Sequence, residues 1–208
     1  YGGRYRLAVR HPSGDSSWAS VTVPPRSEVH FSAVDSGRAS VRTTVTGSAG
    51  VPSLIVPRLK YVARTIPPPP PPAGPPGPRI AIAETLRVDL TGAQARTSGG
   101  WRFQWDMRDH FFEIRRSMAR VDTFTGQSVD LSYIALRSLR ISYMVANEDW
   151  RPELMGEDVR TLAQPGTFSN VENGFGFVGG GYVVDRSYRP PPDHQNRAGF
   201  ERCRPPYC

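Results

Sequence analysis

At 208 residues the chain is long enough for one sizeable hydrophobic core or two small ones, and its 38% hydrophobic fraction is too high for a disordered polar chain. No run approaches the roughly 18 apolar residues that a membrane helix needs. The formal charge of +7 is almost all arginine, since Lys60 is the only lysine, and the arginines are scattered from Arg4 to Arg204. Scatter of that kind suits solvated strand faces and argues against the basic stripe of a nucleic-acid binder. Gly 20 and Pro 21 favour short strands joined by turns over long helices. The chain opens on Tyr1 with no charged and then apolar leader, so it is expected to be a processed or partial product.

Residues 4–10 alternate with period two. Tyr5, Leu7 and Val9 take one face and Arg4, Arg6, Ala8 and Arg10 the other, the pattern of a half-buried strand. His11 to Ser17 is turn chemistry, Trp18 to Val23 is the returning strand, and Pro24-Pro25 ends it because proline cannot donate to a ladder. A lone hairpin is marginal in water, so further strands or a partner are expected to complete it. Strands are also expected at 29–34, 39–45 and 54–62, each bounded by Gly, Ser or Pro. The run from Pro67 to Pro78, with six consecutive prolines at its start, enforces polyproline II. It reads as a stiff exposed loop within one domain rather than as a recognition motif.

From Arg79 to Leu90 the chain resumes β character, and Thr91-Gly92 and Ser98 to Gly100 are turns. Trp101 to Met107 reads as a strand with Trp101, Phe103 and Trp105 on one side. One helix is expected from near Asp106 to about Val121, with Phe111, Phe112, Ile114, Met118 and Val121 as a loose apolar stripe. Leu131 to Val145 is again strand-like, Asn147 to Pro152 opens a short helical turn, and Gly166 to Val184 is a glycine-rich region of strand and bulge. The stretch 189–208 has five prolines and few aliphatics, so it is expected to be an irregular tail held by contacts.

Each motif with chemical potential has a structural counter-reading. Gly174 to Gly179 matches GxGxxG by letter, but a strand-like segment follows where a dinucleotide site needs a helix N-terminus. The glycines read instead as allowing a bulge or close backbone approach, with Phe175 and Phe177 packed in. Asp106, Asp109, His110 and Glu113 would share one helical face and could hold a hard cation or a zinc with its water. The same set also suits an acidic first turn set against the helix dipole. No GxSxG elbow, Walker loop or HEXXH is present, so neither catalysis nor a cofactor is expected. His11 and His194 lie in turn-like surroundings and are expected in solvent. Cys203 and Cys208, the only cysteines, are read as a small-loop disulfide of an oxidising compartment, with free thiols as the alternative. A zinc site would need four ligands. Trp101, Trp105, Tyr143 and Trp150 are candidate contacts for a ligand or partner, although alternation places such rings in a core as readily.

Two segments resemble a known family. Tyr5-Arg-Leu-Ala-Val9, a polar turn and Trp18-Ala-Ser-Val-Thr-Val-Pro24 resemble the close of the N-terminal β-sandwich in a large lipoprotein family of Bacteroidota outer membranes, known only as a domain of unknown function. Phe168-Ser-Asn-Val-Glu-Asn-Gly-Phe-Gly-Phe177 resembles that family's C-terminal signature. The resemblance implies that residues 1–24 are the last strands of an immunoglobulin- or transthyretin-like sandwich and 25–208 a β-rich C-terminal domain. It also implies export and a lipid anchor at the outer membrane, the anchoring cysteine not being in this chain, in company with TonB-dependent transporters. No catalytic residue carries over, and the 67–78 insert and the Cys203/Cys208 pair depart from the family pattern. The expectation is therefore a mainly β protein with one or two short helices. It would serve as a non-enzymatic accessory or binding protein of the outer membrane or extracellular surface. Its partners would be other envelope proteins, such as a TonB-dependent transporter, or copies of itself. The alternatives are a structural subunit of a surface filament and a metal-dependent hydrolase.

Overall fold

The structure is a computed structural model that describes residues 2–34, 39–47, 53–66, 81–125, 131–150, 160, 164 and 168–201, without the side chains of 47, 53–55 and 120–125. In chain order the strands are β1 (Arg4–Arg10), β2 (Ser16–Thr22), β3 (Ser27–Ala33), β4 (Ser40–Gly47), β5 (Ser53–Thr65) and β6 (Ala83–Asp89). A 3-10 turn at Thr91–Ala93 leads to β7 (Gln94–Thr97), β8 (Gly100–Asp106) and helix α1 (Met107–Thr125). After it come β9 (Ile134–Ala146), β10 (Gly181–Tyr188) and a short helix, α2 (Pro192–Ala198). The protein is mainly β, as its turn-rich alternating sequence requires. No helix among the described residues is long and apolar enough to cross a membrane.

Two four-stranded antiparallel sheets, ordered β3-β4-β8-β7 and β10-β9-β5-β6, form a sandwich, and β1-β2 stands apart as a two-stranded sheet. Alternation explains the sandwich core. Val41, Thr43 and Val45 of β4 pair with Trp105, Phe103 and Trp101 of β8, so all six side chains share one face. From the other sheet Leu59, Tyr61 and Ala63 of β5 and Leu139, Ile141, Tyr143 and Val145 of β9 complete the same core. Full burial of each large aliphatic there contributes about 1.5–3 kcal/mol. Polar and aromatic ties join the sheets along one side. Phe31 of β3 stacks on Tyr188 of β10 with ring centroids 4.6 Å apart. The Tyr182 hydroxyl donates to the Pro25 carbonyl and accepts from the Ser27 amide, both at 2.7 Å.

Strand β9 stays inward-facing along its length only because of a bulge. Val62 pairs with Ser138 and Ala63 with Leu136, so Arg137 is the extra residue. The inward parity thus changes from Ile134 and Leu136 to Leu139, Ile141, Tyr143 and Val145. Gly100 begins β8 at φ +143°, where an added Cβ would collide with the Val45 carbonyl oxygen, so the β4-β8 ladder closes only over glycine.

Helix α1 starts where the sequence places it, with the Asp106 carboxylate accepting the Arg108 amide at 2.9 Å as an N-cap. Its buried stripe is Met107, Phe111, Ile114 and Met118, spaced four, three and four. Phe112 does not belong to that stripe; it is exposed beneath the Arg108 guanidinium, 5.7 Å from the ring centroid.

The tail differs most from expectation. Residues 192–198 are a helix rather than irregular chain, with Pro192 at its first turn and Gly199 closing it at φ +106°. Its buried face carries His194 and Ala198, and the following Phe200 meets Phe111 edge-on at 5.0 Å. His194, expected in solvent, is 1% exposed with Nε2 2.8 Å from the Ser40 carbonyl. That bond ties α2 to β4 and satisfies a polar ring the core could not otherwise hold. The polyproline segment 67–78 and the Cys203/Cys208 pair lie outside the described residues.

Candidate binding surface

The acidic face of α1 does not gather into a ligand set. Asp106 is committed to the helix cap. His110 Nδ1 lies 2.9 Å from the hydroxyl of Tyr61, a fully buried β5 residue, and the two rings meet edge-on at 5.2 Å. Burial pulls the His110 pKa below its ordinary value, against the opposing pull of Glu113, Asp109 and Asp106, and favours the neutral imidazole. Burial also pushes the Tyr61 phenol up, so it keeps its proton. Asp109 and Glu113 are exposed and line an open groove of about 670 Å³ with Phe112, Arg115 and Arg116. Among the described residues no three His, Cys, Asp or Glu side chains converge as metal ligands.

Two of the four candidate contact aromatics are taken up by the core. Trp105 and Tyr143 are 5% and 2% exposed, so neither ring has a face free for a ligand. The Tyr143 hydroxyl is 3.3 Å from Ser27 Oγ, and burial pushes its pKa up to about 12. Trp101 is half-buried with the Arg96 guanidinium 5.8 Å from its ring centroid. Trp150 is half-buried and meets Phe177 edge-on at 6.4 Å. The structure therefore brings Trp101 and Trp105 together on β8 and leaves Trp150 in a separate contact beside the glycine-rich loop.

That loop is a seat for the hairpin. Asn170 closes it like a short rung of sheet: its Oδ1 accepts the Val178 amide at 2.8 Å and its Nδ2 donates to the Val178 carbonyl at 2.9 Å. Asn147 holds the far end, accepting the Gly180 amide at 3.0 Å on Oδ1 while its own amide reaches the Gly180 carbonyl at 2.8 Å. Trp18 and Glu172 exchange a pair of backbone bonds of 3.1 and 2.8 Å, which docks the loop along β2. The glycines allow close approach, as their spacing suggests. A Cβ on Gly179 would lie 2.7 Å from the Trp150 ring, and one on Gly180 would lie 2.8 Å from the Thr22 carbonyl oxygen. Phe175 is not packed in, however: it is 72% exposed, and among the described residues only Phe177 finds a partner ring. Neither Asn147 nor Asn170 stands out in sequence as a brace, although Asn170 lies within the family-like Ser-Asn-Val motif.

Beyond that seat, β1 is open. Ala19 and Val21 of β2 are buried under the loop, and they pair directly with Leu7 and Tyr5 of β1. Those partners share the same face but overhang the loop, leaving Tyr5 54%, Leu7 51% and Val9 62% exposed. The strand expected to be half-buried is thus exposed along its whole length. On its other face lie Arg4, Arg6 and Arg10, with the Arg6 guanidinium 4.1 Å from the Trp18 ring centroid. Among the described residues β1 pairs only with β2, so its outer edge carries no ladder.

A second groove, of about 860 Å³, lies where the β9 bulge, the end of β10 and the start of α2 meet. Arg137, Ser187, Tyr188, Arg189 and Gln195 line it, and the Gln195 amide is spent on the Pro190 carbonyl at 2.8 Å. Comparison of the chain with protein-family models, curated proteins and solved structures finds no match.

Proposed function

We propose that this chain is a non-enzymatic accessory or binding protein of a Gram-negative cell envelope, at the outer membrane or extracellular surface. It engages an envelope partner through its N-terminal hairpin. One observation carries the reading: an apolar stripe of Tyr5, Leu7 and Val9 stands in solvent on a strand whose outer edge pairs with no other strand among the described residues. Large apolar side chains aligned on one strand face are what a protein surface avoids unless something covers them. The compartment rests on the family resemblance of the hairpin and of residues 168–177, and a TonB-dependent transporter is the partner class that resemblance favours.

The test is purification of the native protein from membranes, compared with a Leu7→Ser/Val9→Ser variant. A stoichiometric envelope partner, identified by mass spectrometry and lost from the variant, is the expected outcome. Full retention of that partner by the variant overturns the hairpin as the contact. The free edge of β1 also favours a second reading, a structural subunit of a surface assembly. Electron microscopy of the native material showing a regular polymer would replace the accessory role with that one.

A further inference from the structure

We propose that the free edge of β1 takes up one extended strand from its partner, a segment in which apolar residues alternate with aspartate or glutamate. The inference rests on the hairpin being the contact and adds what the contact recognises. Seven residues of β1 offer an edge about 24 Å long. A strand laid along that edge would satisfy its outward amides and carbonyls and widen the sheet to three strands. Alternation then fixes both of its faces. On one side its residues fall beside Tyr5, Leu7 and Val9 and extend the apolar surface that the 171–180 loop leaves uncovered. On the other side they fall beside Arg4, Arg6 and Arg10, and neither β1 nor β2 contains an acidic residue to offset them. The acids near that face are Asp15 in the turn, which accepts the Ser13 hydroxyl at 3.0 Å, and Glu172, which is bridged to Trp18 on the far side of β2 from the open edge. An incoming carboxylate on that face is therefore favoured, and a basic residue is not.

The same charges argue against the β1 strand of a second copy as the occupant. Two β1 strands paired antiparallel in full overlap about Leu7 would set Arg4 of each opposite Arg10 of the other. Like charges directly opposite are destabilising. Fluorescence anisotropy on the full chain, with labelled nonapeptides alternating valine with glutamate or valine with lysine, tests the proposal.

The glutamate peptide should bind about tenfold more tightly, from two or three added opposite-charge pairs. Its binding should weaken with salt, and hydrogen exchange should show new protection confined to β1. An Arg4→Glu/Arg10→Glu variant with an unchanged thermal midpoint should reverse the preference. Equal binding of the two peptides, protection at another sheet edge, or a dimer of the wild-type chain in sedimentation overturns the proposal. A variant Arg4→Glu/Arg10→Glu that still captures the envelope partner in full overturns the acidic strand and leaves the hairpin contact standing. Capture that survives Leu7→Ser/Val9→Ser removes both.

Discussion

In β9 the apolar residues Leu139, Ile141, Tyr143 and Val145 recur at every second position and are at most 2% exposed. In β1, Tyr5, Leu7 and Val9 recur in the same way and are 51–62% exposed. Period two states which side chains share a face and nothing about what lies over it. Strand β9 runs between β5 and β10 with a second sheet opposite, so its inward face is covered along its length. Among the described residues strand β1 has one neighbour, and the loop that covers β2 leaves it exposed.

The largest expected effect tests the covered strand. Ile141→Ala removes three carbons from a fully buried site and should cost about 2–5 kcal/mol in chemical denaturation, from lost transfer energy plus the cavity left behind. A cost below about 1 kcal/mol would mean that β9 is not a core strand, and the contrast with β1 would lose its reference.

The same contrast separates what was legible in the sequence from what was not. The main strands follow from alternation and from their Gly, Ser and Pro boundaries. Even the β9 bulge leaves a trace, because Leu136 and Leu139 are spaced by three rather than two. Strand β7, Gln94–Thr97, is short, polar and at a sheet edge, so it carries no hydrophobic period to read. Helix α2 was hidden by the prolines around it, although Pro192 at the start and Gly199 past the end follow the helix asymmetry of those two residues. The burial of His194 depends on a carbonyl 154 residues away and has no local signature. The candidate site is split in the same way. Tyr5, Leu7 and Val9 are legible as one face, but their exposure depends on where the 171–180 loop ends. Trp105 and Tyr143 are legible as aromatic positions, yet the opposing sheet decides that they are core.

Smaller effects are expected on α1, whose first turn sits at the boundary of the covered region. Asp106→Ala removes the cap on the Arg108 amide and should cost about 1 kcal/mol, whereas Asp106→Asn, which keeps an acceptor oxygen, should cost less; thermal melts separate the two. His110 should make stability pH-dependent. Its folded pKa lies below the unfolded value of about 6.5, so the unfolded chain binds the proton more readily. Its contribution is complete above about pH 6.5 and is lost as the pH falls below that toward the folded value. His110→Gln should flatten that part of the stability profile, and an unchanged profile would show that His110 is not shielded by its contact with Tyr61.

The smallest expected effect is the most diagnostic for the open strand. Leu7 occupies the middle of β1, yet it is half exposed and no described element covers its face, so Leu7→Ser removes little buried area. In the isolated chain its cost should stay within about 0.5 kcal/mol, against the several expected for Ile141→Ala. If Leu7→Ser instead costs as much as a core substitution, some element of the chain covers β1 and the stripe is not available to a partner. If the cost is small alone but grows when a partner is bound, measured as a loss of partner-dependent thermal stabilisation, then Leu7 is buried on binding. That pair of measurements distinguishes a face that is merely exposed from one that is covered only in the complex.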